Sequence, residues 1–106
     1  MAEEILKLTT EQIGDLAESL PQWRVGDDRV TIKRSFKFRD FRQAFDFMTE
    51  IAAAAEARNH HPDWSNSYNR VVICLTTHDI GGLSTQDIQL AKSIDAVAYR
   101  FGSSAV

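Results

Sequence analysis

Glu56-Ala57-Arg58-Asn59-His60-His61-Pro62-Asp63-Trp64 is where this chain turns from helix to strand. Upstream of it, Phe41 to about Arg58 repeats apolar residues at a spacing of three and four. Phe41, Ala44, Phe45, Met48, Ile51, Ala52 and Ala55 form one stripe, the pattern of a helix laid on a core. Asp40 is placed as its N-cap, with Gln43 three residues on, and Pro62 closes the helix. Downstream, Trp64 to Arg70 alternates Trp64, Asn66 and Tyr68 against Ser65, Ser67 and Asn69. Val71 to Thr77 is β-branched and apolar. The two runs predict a hairpin turning near Asn69-Arg70. Parity places Val71, Ile73, Leu75 and Thr77 on one face of its second strand, with Val72, Cys74, Thr76 and His78 on the other.

Further out, residues 1–8 read as a loose lead-in. Thr9-Thr10-Glu11-Gln12 is a capping box, and Ile13, Leu16, Ala17 and Leu20 follow at helical spacing until Pro21. Trp23-Arg24-Val25 and Arg29 to Phe36 alternate around Gly26-Asp27-Asp28, a second hairpin pattern. Ser84-Thr85-Gln86-Asp87 is another capping box. It opens a last helix with Ile88, Ala91, Ile94, Val97 and Ala98 inward, and the tail from Gly102 reads as frayed. The order α-β-β-α-β-β-α predicts an α+β domain: a four-stranded antiparallel sheet with three helices packed on one face. A thinner stripe, Phe47, Glu50, Ala54 and Ala57, points away from the first. It suggests a helix–helix contact with another subunit through helix 41–58.

The 106 residues fit one domain, 1–106, and 43% apolar with 25% charged is ordinary for a folded protein. A net charge of −3 argues against direct nucleic-acid binding, which needs clustered cations. The local cluster Lys33, Arg34, Lys37, Arg39 and Arg42, offset by Asp40, reads as a solvated face. A single cysteine, Cys74, allows no internal disulfide. No apolar run approaches the ~20 residues that span a bilayer. The start lacks a secretory pattern, and the expected location is cytoplasmic.

The chemistry rests on three histidines, His60, His61 and His78. Imidazole exchanges protons near neutrality, with an ordinary pKa of about 6.5. Each histidine also has a structural reading: His60 and His61 suit a helix C-terminus as cationic rings, and His78 suits a half-exposed surface position at a strand end. Glu56 stands at i,i+4 to His60, within reach of its ring. Asp87 has the capping role already given. Adjacent His60 and His61 make a poor pair of metal ligands, and neither a His-x-His nor a His-Glu-x-x-His motif is present, so metal binding ranks below proton transfer. Cys74 lies mid-strand, where small cysteines are usually structural.

These residues resemble a known family. Glu56-x-x-x-His60-His61-Pro62-Asp63-Trp64, Tyr68-Asn69, Thr76-Thr77-His78 and Gly82-Leu83-Ser84-x-x-Asp87 are similar to pterin-4a-carbinolamine dehydratases, as are Phe38-Arg39-Asp40-Phe41, Ala44-Phe45 and Phe47-Met48. The resemblance spans roughly residues 23–98. It implies the fold above and the dehydration of 4a-hydroxytetrahydropterin to quinonoid dihydropterin, without metal or cofactor. That reaction recycles the pterin used by aromatic amino-acid hydroxylases. It further implies that His60 and His78 are the acid/base pair, that His61 mainly holds the pterin, and that Asp87 positions a histidine. Glu56 would lie at the site edge and Trp64 would wall the ring. Asn59, a further substrate-binding position by the resemblance, stands where animal members often carry Asp; as an amide it is no base but can donate hydrogen bonds. A homodimer or homotetramer is implied. Alternative roles are a dimerisation cofactor or transcriptional coactivator without catalysis, and pterin handling in molybdopterin metabolism.

Overall fold

The computed structural model describes residues 5–105. Its elements are α1 (Thr10–Ser19), β1 (Arg24–Val25), β2 (Ile32–Lys37), α2 (Phe41–Arg58), β3 (Asp63–Ser67), β4 (Arg70–Leu75), α3 (Thr85–Arg100) and β5 (Ser104–Ala105), with a 3-10 turn at His78–Ile80. The first four strands form an antiparallel sheet in the order β1-β2-β4-β3, so the two hairpins join along β2 and β4. The three helices cover one side of it. This is the expected α+β architecture.

Capping follows the expected residues. Thr9 and Gln12 satisfy each other's backbone N–H groups at the start of α1, and Ser84 and Asp87 do so at α3. The Asp40 carboxylate accepts from Gln43 N–H, and that bond holds its pKa below the usual value. The parity of β4 also holds: Val71, Ile73, Leu75 and Thr77 are buried, and the alternate residues are not.

The phase of α2 differs from the expected stripe. Its buried residues are Ala44, Phe47, Ile51 and Ala55. Phe47 has no exposure and touches the core rings of Phe36, Phe38 and Phe101 at centroid distances of 5.1, 4.7 and 6.3 Å. Phe41 and Phe45, assigned inward by pattern, are 46% and 51% exposed and lean on each other at 5.7 Å. The buried stripe is rotated from the expected one by roughly a sixth of a turn. The two stripes share Ala44, Ile51 and Ala55, so the spacing of three and four is satisfied by either phase. What decides is the aromatic pocket offered by β2 and the C-terminal end of α3. Phe47 is therefore no subunit contact.

The described parts of both end segments, residues 5–8 and 102–105, are more ordered than expected. Leu8 N–H donates to Leu83 O and Thr85 N–H to Leu6 O, tying the lead-in to the start of α3. Residues 1–4 lie outside the described residues. At the other end Gly102 adopts φ +68°, which reverses the chain after α3 and lets β5 pair with Phe36 and Lys37.

Candidate active site

Helix α2 is stopped by Asn59, three residues before Pro62. Asn59 is left-handed, with φ +51° and ψ +40°. Its N–H donates to Glu56 O at 3.1 Å, and the next N–H, of His60, donates to Ala55 O at 3.0 Å. These two bonds make a Schellman turn, in which asparagine is the residue best able to replace glycine. His60 is thus hydrogen-bonded to the helix end through its backbone, which fixes where its ring can go. Asn59→Gly is expected to leave stability and site geometry nearly unchanged. Asn59→Val is expected to cost about 1–2 kcal/mol, read as a lowered denaturant midpoint. Equal midpoints for the two variants would contradict this account.

The His60 ring points at α3. Its Nε2 lies 2.6 Å from Asp87 Oδ1. Asp87 is fully buried and its other oxygen, Oδ2, accepts from Thr77 Oγ1 at 2.8 Å and from Ser84 N–H at 2.9 Å. The cap of α3 is therefore also the carboxylate that holds an imidazole. Since Asp87 accepts, His60 Nε2 carries the proton and Nδ1 is the ring nitrogen left for exchange. Glu56 does not reach His60. It meets His61 Nε2 at 3.1 Å, with both side chains exposed.

His78 arrives from the other direction. After β4, Thr77 N–H donates to Gly82 O at 3.0 Å, which closes a short loop around the 3-10 turn. Gly81, at φ +66°, makes the reversal inside it possible. His78 stands on this loop, 81% exposed, with its Nε2 3.7 Å from Asp63 Oδ2, too far for a hydrogen bond. An open cleft of about 180 Å³ joins these parts, lined by Asn59, His60, His61, Thr76, Thr77, His78 and Asp79. The structure thus brings all three histidines to one cleft, with Asp87 behind it and Glu56 at its edge. Trp64 is not among the lining residues: it pairs across from buried Ile73 and packs on the core side of the sheet. A larger hollow, about 310 Å³, runs between α1 and α3, but it holds no histidine and Asp15 is its only carboxylate.

Thr77 and Ser84 went unassigned beyond strand parity and capping. A signal existed for Thr77, the single polar residue on the buried face of β4 and its extension, where a hydroxyl needs a partner. Cys74 faces the open side of the sheet, half-buried. Burial, and then the charge of Asp63, push its thiol pKa up. It is therefore expected to react sluggishly with thiol reagents at neutral pH, with a rate still climbing above the range where an ordinary cysteine has levelled off. Labelling as fast as that of a free thiol at pH 7 would contradict this.

Fold and site define a two-layer α+β domain with a histidine-lined cleft backed by a buried carboxylate. The family model described as pterin 4 alpha carbinolamine dehydratase matches residues 6–97, and the chain belongs to that family. A relative from Rhizorhabdus wittichii bearing the family's name is 53% identical over 91 residues, covering 86% of this chain and 94% of its own. One from Synechococcus sp. (strain WH7803) is 58% identical over 82 residues, covering 77% and 86%. Among solved structures, a transcriptional coactivator/pterin dehydratase from Brucella melitensis superposes with a TM-score of 0.83 at 42% identity, over 87% of this chain and 98% of that one. A pterin dehydratase-like protein described as a RuBisCO assembly factor in the alpha-carboxysome shares the fold, with a TM-score of 0.63 at 24% identity, over 73% and 89%.

Proposed function

We propose that the chain dehydrates 4a-hydroxytetrahydropterin to quinonoid dihydropterin and water, recycling pterin in the cytoplasm for aromatic amino-acid hydroxylation. The observation that carries this is the convergence of three imidazoles on one cleft with His60 held by buried Asp87. The reaction breaks the C4a–O bond, forms a C4a=N5 double bond and releases the N5 proton. Hydroxide is a poor leaving group, so an acid must protonate it as it departs, and a base must take the N5 proton. His60 suits the base: its Nε2–H faces Asp87, so Nδ1 can accept, and the imidazolium formed sits against a carboxylate. His78, solvated and lightly held, suits the acid that protonates the departing oxygen and is reloaded from water. His61, with Glu56 beside it, suits binding of the pterin.

The test is stopped-flow absorbance of the substrate, generated in situ, with and without the protein. Acceleration at catalytic concentrations supports the reading; none from folded protein sinks it. No helix among the described residues is long and apolar enough to cross a membrane. Self-association or partner binding through α2 is a second reading, favoured by the exposed Phe41–Phe45 pair on its outer face.

A further inference from the structure

We propose that Thr77 is a positioning residue for His60, acting through Asp87, and that Ser84 sets the direction of its hydroxyl. The proposal rests on the dehydratase reading for its kinetic consequence but not for its geometry. The hydroxyls of Thr77 and Ser84 are 2.6 Å apart, both buried, and either could donate on distance alone. Counting protons removes the ambiguity. Each hydroxyl has one hydrogen. Ser84 Oγ already accepts from Gln86 N–H at 3.1 Å, and Thr77 Oγ1 is 2.8 Å from Asp87 Oδ2, which can only accept as a carboxylate. Thr77 therefore donates to Asp87, and Ser84 donates to Thr77.

The result is a one-way chain from the first turn of α3 to the imidazole: Gln86 N–H to Ser84 Oγ, Ser84 O–H to Thr77 Oγ1, Thr77 O–H to Asp87 Oδ2. Asp87 Oδ1 then receives Nε2–H of His60. With Oδ2 held by two donors, Thr77 and Ser84 N–H, the carboxylate cannot rotate. As a carboxylate it has no proton to offer the ring and can only accept from it. His60 is thereby confined to the tautomer with a free Nδ1. Removing the Thr77 hydroxyl leaves the fully buried Asp87 Oδ2 one donor short. The carboxylate is then free to turn, and the ring can flip its tautomer.

The experiment compares Thr77→Val, which keeps the shape and loses the hydroxyl, with Thr77→Ser, which keeps the hydroxyl. The first readout is the nitrogen and proton NMR signature of the His60 ring. A protected Nε2–H is expected in the unaltered protein and in Thr77→Ser, and mixed tautomers or rapid exchange in Thr77→Val. The second is dehydration: kcat per folded molecule falls about ten-fold in Thr77→Val with KM unchanged, and Thr77→Ser recovers it. If Thr77→Val does not fold, Ser84→Ala serves, since it deletes the donor to Thr77 and is expected to loosen the same tautomer to a lesser degree. An unchanged tautomer and unchanged kcat in a folded hydroxyl-free variant overturn the proposal. If the unaltered protein does not accelerate the reaction, the dehydratase reading fails, and the NMR comparison still decides the role of Thr77.

Discussion

Alanine at both His60 and His78 is expected to abolish the catalysed dehydration while the domain stays folded. Positioned acid–base groups each contribute about 10²–10⁴-fold, and groups acting as a pair lose most of the effect when either is removed. The two losses differ structurally. His78 is solvated, its side chain 81% exposed beside the exposed Asp63, so its removal costs the fold little. His60 is 11% exposed at its side chain and is the only group on Asp87 Oδ1 among the described residues. Its removal strips a buried carboxylate oxygen of its donor, at about 1–3 kcal/mol. That is a fraction of a domain's usual reserve of about 5–15 kcal/mol. Circular dichroism and a denaturant melt establish folding, and stopped-flow absorbance reads the rate. Full acceleration from the folded double variant would remove both histidines from the mechanism.

Phe47→Glu is expected to prevent folding. Truncating a buried phenylalanine costs about 3–5 kcal/mol, and a carboxylate buried without a partner adds several more. The ring lies amid Phe36, Phe38 and Phe101, where no hydrogen-bond donor from a side chain is present among those contacts. Phe45→Glu, two residues away on the outer face, is expected to change stability by no more than about 0.5 kcal/mol. Sedimentation of that variant tests self-association through α2. A lower mass than the unaltered protein places the contact on the Phe41–Phe45 side, and an equal mass removes it from there. A cooperative melt from Phe47→Glu near that of the unaltered chain would contradict the packing described.

Local patterns were legible where one residue type has one physical solution. Thr9, Asp40 and Ser84 each precede a helix as side chains able to accept from its first free N–H groups, and each does so. Alternation along β4 fixed its buried face because a strand has only two faces. The phase of α2 was less legible because a helix has many, and alanines populate its whole circumference. Choosing between Phe45 and Phe47 required knowing where the sheet put Phe36 and Phe38. The His60–Asp87 pair joins the turn that follows α2 to the first turn of α3, 27 positions apart. Local spacing offered Glu56 instead, and only the fold brings α3 against the end of α2. The left-handed turn at Asn59 was hidden by Pro62, a stronger punctuation mark that lies beyond the helix end.

Asp87 carries two obligations on one carboxylate. It begins α3 by accepting from Ser84 N–H, and it restrains the imidazole of His60. A fluctuation that frays the first turn of α3 therefore releases the ring in the same event. The site exists only in those molecules whose helix start is closed. Changes anywhere along that turn that shift its opening equilibrium will alter the fraction of competent molecules, without touching a ligand. The converse holds as well. Any ligand that binds only when His60 is restrained will tighten the start of α3, so occupancy of the cleft and order at the helix terminus are thermodynamically one variable.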